Sequence, residues 1–323
     1  MEVTRIGPAA QVAESASIYR LPREVLLHAL SYVDEPSGLA ALSITTKSML
    51  AAATDSVLFL HWLWKYRQPS GMALPIAACK RRGDVMLQLL KMGVSATART
   101  GVGSTPLRLA VDHNLLEVVK YLWIERGNDV RRYVKASIKA LLSAASSGHA
   151  ECLQLLLTPP SPAWLHANSR GSWEEEEEFE GKFPLALAAE SAHVEAVRVL
   201  LLHRASCAAI SDVEDLSILH YACSGIDQDM MRARIVRMLL EVPEGVPDFR
   251  EPGNGAFPLH LAAESGFTLC VEELCRAGSR AVNEKDFGAH TPFQLAGLYG
   301  NSQVQEVLLR YGADPNCRSD DDD

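Results

Sequence analysis

The side chains in this sequence best suited to metal or redox chemistry are its seven cysteines. Clustered Cys and His ligands would bind zinc, and suitably placed cysteine pairs would form disulfides. The cysteines are odd in number and scattered, with no C-x-x-C pair and no Cys/His cluster of the spacing that zinc needs. The sequence therefore predicts free thiols in a reducing compartment, with no metal site and no cofactor.

Sequence patterns of enzyme active sites are missing as well. The chain contains no phosphate-cradling glycine loop, no H-E-x-x-H motif, no nucleophile elbow and no local signature of a catalytic triad. We therefore expect no catalytic residues and a function other than catalysis.

The charge and hydropathy of the chain argue against two further classes of protein. Its 323 residues carry 31 Lys and Arg against 40 Asp and Glu, a net charge of -9, which disfavours a protein that coats nucleic acid. No stretch approaches the roughly 18 to 20 apolar residues of a membrane span, and the first residues lack the apolar core of a signal peptide. We expect a soluble protein of the cytoplasm, the nucleus or both, without nucleic-acid or membrane partners.

A short apolar segment with small residues recurs seven times after residue 71. Each copy contains an alanine at the same place, and successive alanines are 33, 34, 44, 34, 40 and 34 residues apart. These alanines are Ala77, Ala110, Ala144, Ala188, Ala222, Ala262 and Ala296. A polar or Gly/His step, a second apolar segment and often a glycine follow each one. This spacing indicates an array of repeated structural units.

The local sequence of each unit predicts two short helices. Thr105-Pro106 and Thr291-Pro292 place a hydroxyl at the N-cap, where it accepts a backbone N–H, ahead of a proline at the first helical position. The small alanines allow the paired helices to approach, and the glycines supply the left-handed residue that ends the second helix. The expected fold class is therefore all-α.

The T-P-L-H-x-A pattern, followed by a Gly-His step and an L-L-x-x-G-A ending, resembles the ankyrin repeat, whose period is about 33 residues. The resemblance covers residues 72–317 and is strongest in PLHLAAESG and in TPFQLAGLYGN with LLRYGADPN. It implies an ankyrin-repeat solenoid of about seven helix-pair repeats at residues 69–317. It also implies that His220 and His260, at the histidine position of the motif, order a turn by hydrogen bonding and have no catalytic role.

The spacings of 44 and 40 residues indicate two insertions, which we assign to residues 159–182 and 241–253. The first contains five consecutive glutamates, at 174–178, between Trp173 and Phe179. Like charges this dense repel one another and stay solvated, which favours a mobile spacer. The flanking aromatic residues leave open a linear epitope for a basic partner. We expect the acidic tail at 318–323 to be disordered.

The first 68 residues do not follow the ankyrin period. We expect residues 1–18 to be disordered, whereas the apolar spacing within 19–68 predicts three short helices. Three helices of this length are too few to bury their own apolar surface, which implies that a partner surface covers it.

Residues 19–68 are similar to the F-box, a short three-helix domain. The similarity rests on an L-P-x-E-hydrophobic-L opening, an acidic-Pro turn, a second helix and a third, hydrophobic-aromatic helix. It implies docking onto the adaptor subunit of a cullin-RING (SCF-type) ubiquitin ligase, and through it onto a cullin, while the array holds a protein substrate. The residues it assigns to adaptor binding are Leu21, Pro22, Glu24, Val25, Leu26, Leu30, Val33, Leu39, Leu42, Leu58 and Phe59.

A second interpretation accounts for the array equally well. In it the chain is an ankyrin-repeat scaffold, residues 19–68 form a helical cap, and there is no role in ubiquitin ligation. Only the N-terminal region distinguishes the two interpretations. The substrate-binding residues stay unknown, and the candidates by position are segments 95–104, 128–135, 206–216 and 280–290.

The negative charge is unevenly distributed along the array. Residues 69–160 carry 12 Lys and Arg against 6 Asp and Glu, a net charge of +6. Residues 161–319, without the glutamate-rich run, carry 13 against 18, a net charge of -5. The basic half is therefore expected to favour an acidic target segment.

Overall fold

The computed structural model of the chain falls into two compact units, of which the first ends at Pro106 and the second begins at Leu107. The residues it describes are 73–79, 81–97, 104–127, 134–159, 165–170, 181–207, 216–225, 227–243 and 245–317. The F-box-like segment with its eleven candidate adaptor-binding residues, the glutamate-rich run and the acidic tail lie outside the described residues.

The regular elements of the described residues are helices in seven pairs, as the spacing of the alanines predicts. The first unit contains α1 (Ala73–Cys79) and α2 (Gly83–Lys91). The other pairs are α3 (Pro106–Asp112) and α4 (Leu116–Lys120), α5 (Val134–Ser146) and α6 (Ala150–Leu157), α7 (Pro184–Glu190) and α8 (Val194–Leu202), α9 (Ile218–Cys223) and α10 (Asp229–Leu240), α11 (Pro258–Glu264) and α12 (Thr268–Arg276), and α13 (Pro292–Leu298) and α14 (Ser302–Arg310). A π-helical turn, Tyr121–Glu125, continues α4.

Two layers of helices form the second unit. First helices of successive repeats pack against one another from α5 to α13, and second helices do so from α4 to α14. The aligned alanines from Ala110 to Ala296 are fully buried, because only a methyl group fits where the helices approach closely. Leucines such as Leu153, Leu200 and Leu274 fill the space between the layers. Each buried leucine contributes about 1.5–3 kcal/mol to folding.

The start of α13 confirms the capping predicted for Thr291 and Pro292. Thr291 Oγ1 accepts a hydrogen bond from the backbone N–H of Gln294 at 3.3 Å. In return the Gln294 side chain accepts one from the backbone N–H of Thr291 at 2.9 Å. Pro292 takes the first helical position, where its missing N–H has no partner to lose.

The structure distributes the six extra residues of the fifth repeat over three places. Six of the second helices begin after a residue five positions beyond the aligned alanine, whereas α10 begins after Gln228, six positions beyond Ala222. α10 has 12 residues against 9 in α8 and α12, and the connection from α10 to α11 has 17 residues against 15 after α8 and α12. The predicted insertion at 241–253 therefore contains two of the six extra residues. The extra helical turn, Asp229 to Met231, extends α10 without interrupting the apolar pattern, so the sequence does not reveal it.

Candidate protein-interaction surface

Buried histidines fix the hairpin loops to the first helices. The hydroxyl of Ser217 donates to Nδ1 of the fully buried His220 at 2.8 Å, and His220 Nε2 donates to the carbonyl of Ala256 at 3.2 Å. His260 Nδ1 accepts from the backbone N–H of Phe257 at 3.2 Å. These bonds confirm the hydrogen-bonding role that the resemblance implies for both histidines.

The next hairpin is held in the same manner. His260 Nε2 donates to the carbonyls of Glu284 and His290 at 3.1 and 3.2 Å. In the last repeat Gln294 occupies the histidine position, and its Nε2 donates to the carbonyl of Cys317 at 2.8 Å. A neutral side chain with one donor and one acceptor is therefore sufficient at this position.

Burial keeps both histidines neutral. Desolvation lowers the pKa of His220 from 6.5 to about 4, opposed by its bond to Ala256 and reinforced by His260. Desolvation also lowers the pKa of His260, while Asp286 and the bonds to His290 and Glu284 oppose the shift. Each Nδ1 accepts a hydrogen bond, which requires the unprotonated ring.

A second ladder of hydrogen bonds joins neighbouring repeats at the other end of the first helices. His193 and Asn301 directly precede a second helix, and Arg232 lies in the first turn of one. We call these three the staple residues. His193 Nε2 donates to the carbonyl of Ser146 at 3.0 Å. Asn301 Nδ2 donates to the carbonyls of Ala263 and Glu264, both at 2.9 Å. Each staple residue thus caps the first helix of the preceding repeat, whose last carbonyls lack partners within the helix.

Arg232 is the most heavily bonded staple residue and is 5% exposed. Its Nη2 donates to the carbonyl of Glu190 at 3.0 Å, which joins the fourth and fifth repeats. Its other nitrogens donate to the carbonyls of Asp227, Tyr221 and Ala222 at 2.8, 3.5 and 3.2 Å. The guanidinium also lies 5.2 Å from the centre of the Phe267 ring in the sixth repeat. Arg232 therefore connects three consecutive repeats.

Two glycines of the turns between paired helices leave room for staple residues. A Cβ atom at Gly148 would lie 2.6 Å from the ring of His193, and one at Gly266 would lie 2.8 Å from Asn301 Oδ1. The glycine of the Gly-His step is therefore needed for space as well as for backbone conformation. Sequence reasoning missed this role, because the crowding atom belongs to the next repeat.

A pair of glycine substitutions separates the two requirements. Gly266 and Gly278 both have positive φ, +77° and +83°, but Gly278 has nothing within 4 Å of an added Cβ. We expect Gly278→Ala to lower the free energy of unfolding by about 1 kcal/mol, the cost of the left-handed backbone. Gly266→Ala should cost about 1–2 kcal/mol more, because it displaces the Asn301 cap. Urea denaturation measures both, and equal losses would contradict a role for the staple.

The hairpin loop between the sixth and seventh repeats is fixed by side chains from the loop before it. Asp248 accepts hydrogen bonds from the Ser279 hydroxyl at 2.6 Å and from the backbone N–H of Arg280 at 3.1 Å. Arg250 donates through Nη2 to the carbonyl of Lys285 at 2.8 Å. The loop is therefore held by side chains of the array itself.

Phe287 is presented to solvent at the tip of this loop. Its side chain is 62% exposed, and the Arg250 guanidinium lies 4.9 Å from the centre of its ring. Its backbone N–H donates to the carbonyl of Asn254 at 2.8 Å. An aromatic side chain held in this way is well suited to anchor a partner protein.

The structure describes one of the four candidate substrate-binding segments completely. Segment 280–290 carries Phe287 and forms the hairpin described above. Of segments 95–104, 128–135 and 206–216, only residues 95–97, 104, 134–135, 206–207 and 216 are described.

The cysteines serve as free thiols in this array. None of the seven is in a disulfide, and five of them are buried. Burial raises the pKa of Cys152 to about 11 and those of Cys223 and Cys275 to about 12, so these thiols are protonated at neutral pH. The described residues contain no group of three or more His, Cys, Asp or Glu side chains arranged to hold a metal ion. Nor does their helical part include a segment both long and apolar enough to cross a membrane.

Known proteins match the chain along the array. The family model for ankyrin repeats (3 copies) matches residues 76–163, 141–245 and 230–319. The crystal structure of the human ASB11 ankyrin repeat domain has a TM-score of 0.58 at 22% identity and covers 77% of this chain and 100% of that chain. At this identity the likeness concerns the fold.

Three relatives share part of the sequence. Mouse Synphilin-1 is 27% identical over 168 residues, 51% of this chain and 16% of its own length. Human Rabankyrin-5 is 29% identical over 182 residues, 56% of this chain and 14% of its own. The Arabidopsis thaliana E3 ubiquitin-protein ligase XBAT33 is 34% identical over 103 residues, 31% of this chain and 20% of its own. The matches span a fifth or less of each relative. The chain belongs to the ankyrin-repeat family, and its array is a protein-interaction module.

Proposed function

We propose that this protein is a substrate-recognition subunit of a cullin-RING ubiquitin ligase. The observation that carries the proposal is the F-box-like pattern at residues 19–68, directly ahead of an array suited to hold a protein. In this function the apolar face that contains Leu21, Pro22, Leu26 and Leu30 binds the adaptor subunit, which in turn binds the cullin. The name of the XBAT33 relative, an E3 ubiquitin-protein ligase, supports an association of such arrays with ubiquitin transfer.

The proposed mechanism is proximity. The array holds a target protein while the adaptor fixes the receptor to the ligase, so that the target's lysines are at a high effective concentration near the catalytic module. The receptor itself forms no covalent bond with the target. The exposed Phe287 on its fixed hairpin is a candidate anchor for that target. This function places the protein in the cytoplasm, the nucleus or both.

Substitution in the F-box-like segment tests the proposal. We expect Leu21→Ala combined with Pro22→Ala to abolish co-purification of the adaptor, because it removes two anchors from the apolar face. The measurement is co-expression of the full chain with the adaptor, followed by affinity capture and size-exclusion chromatography.

A matched control is Leu202→Ala, because Leu202 is an apolar side chain of the array with 73% exposure. It should leave adaptor capture unchanged. Adaptor retained by the Leu21/Pro22 variant, or not captured by the unmodified chain, would refute the ligase proposal. Either result would favour the scaffold with an N-terminal helical cap.

A further inference from the structure

The connections between the paired helices of the last three repeats carry a cluster of exposed apolar side chains. We call residues 227–231, 264–269 and 298–303 the turn surface. Its exposed apolar residues are Met230 (66% exposed), Met231 (39%), Leu269 (41%), Leu298 (68%) and Tyr299 (59%). A cluster of apolar side chains on a solvent-exposed surface indicates a binding site.

The stacking of repeats does not require apolar side chains at these positions. The positions of Leu298 and Tyr299 are occupied in the second to sixth repeats by polar residues or glycine. The five pairs are Asp112 and His113, Ser146 and Ser147, Glu190 and Ser191, Ser224 and Gly225, and Glu264 and Ser265. Met230 and Met231 belong to the inserted turn of the fifth repeat, which the other repeats lack. Both features are thus additions to the repeat pattern.

Hydrogen bonds hold the three connections side by side. The Asp229 carboxylate accepts from the backbone N–H groups of Leu269 and Cys270 at 3.0 and 3.2 Å, which joins the fifth and sixth repeats. Asn301 Nδ2 donates to the carbonyl of Glu264 at 2.9 Å, which joins the sixth and seventh repeats. The three connections are therefore neighbours held together by hydrogen bonds, and each of them carries exposed apolar side chains.

The charge of the turn surface is negative. Its three segments contain the carboxylates of Asp227, Asp229 and Glu264, and no lysine or arginine. Arg232 lies buried beneath it, and Arg234, further along α10, is the next exposed basic side chain. A complementary ligand would combine apolar side chains with neighbouring positive charge.

We propose that the turn surface binds a basic amphipathic segment of a partner protein, with its apolar residues on Met230, Leu269 and Leu298 and its lysines or arginines beside Asp227 and Glu264. Unbranched methionine side chains adapt to apolar ligands of different shape, which suits such a site. The proposal requires the interaction role of the array and is independent of ubiquitin ligation. The partner bound here is distinct from the acidic target expected for the basic half of the array.

Two labelled model peptides test the proposal. Both are amphipathic helices of about 18 residues with the same leucine face, one with lysine and one with glutamate on the polar face. Fluorescence anisotropy with the full chain should show binding of the lysine peptide, and of the glutamate peptide at least about tenfold more weakly. Met230→Ser combined with Leu298→Ser should weaken lysine-peptide binding at least about tenfold. Leu202→Ser, with the same chemistry on another repeat, should not change it.

Charge reversal and hydrogen exchange complete the test. Asp227→Lys combined with Glu264→Lys should reverse the preference in favour of the glutamate peptide. With the unmodified chain, bound lysine peptide should slow amide exchange at the turn surface and not at hairpin 279–290. Equal binding by both peptides, no binding, or protection confined to another surface would overturn the proposal. A dimer of the chain that Met230→Ser and Leu298→Ser dissociate would instead make a second copy the occupant.

Discussion

Replacement of Arg232 by methionine is expected to lower the free energy of unfolding by about 3–5 kcal/mol. Methionine keeps most of the length of the side chain and none of its donors. The carbonyls of Glu190, Tyr221, Ala222 and Asp227 would lose their partners in a place that water does not readily reach. The caps of two first helices would be lost at the same time.

The matched control lies two residues further along the same helix. Arg234 is exposed, and Arg234→Met should change stability by less than about 0.5 kcal/mol. Arg232→Lys should fall between the two, because a compact ammonium group does not reproduce the planar fork of donors. Urea denaturation of the three variants measures the differences. Equal stability of the Arg232→Met and Arg234→Met variants would show that the buried guanidinium does not hold the repeats together.

Acid is expected to destabilise the array through its buried histidines. A group with a folded-state pKa below its unfolded value contributes stability above the unfolded value and loses it as the pH falls. The pKa of His220 is lowered from 6.5 to about 4. Protonation of His220 should therefore lower the free energy of unfolding by about 3 kcal/mol between pH 7 and pH 4. His260 shifts in the same direction and should add to the loss.

The last repeat supplies the control for this prediction, since Gln294 makes the corresponding bonds without titrating in this range. His220→Gln combined with His260→Gln should flatten the loss of stability between pH 6.5 and pH 4, measured by urea denaturation at each pH. At pH 7 the variant should stay within about 2 kcal/mol of the unmodified chain. An unchanged pH profile would assign the acid sensitivity to other groups.

The seven helix pairs follow from signals that act within a few residues. A capping Thr-Pro start, a small alanine and a terminal glycine each specify local backbone geometry. Because such signals recur along the chain, the sequence alone predicts the array. The role of His220 and His260 follows in the same way, because their position in the repeat fixes their neighbours.

The turn surface and the second insertion show where such reasoning stops. Leu298 and Tyr299 read as an ordinary apolar continuation of α13, and only their exposure marks them as a site. The extra turn of α10 keeps the apolar period intact, so the total spacing reveals that residues were added and not where.

The sequence by itself determined the helix pairs, their number and their family, since these depend on local propensity repeated seven times. Only the tertiary structure showed that Arg232 is buried whereas Arg234 is exposed, and that a side chain at Gly266 would be crowded whereas one at Gly278 would not. The physical reason is the same in both cases. The atoms that satisfy Arg232 or crowd Gly266 include groups from a neighbouring repeat, such as Glu190 and Asn301, roughly one period away in the chain. Stacking alone brings them into contact.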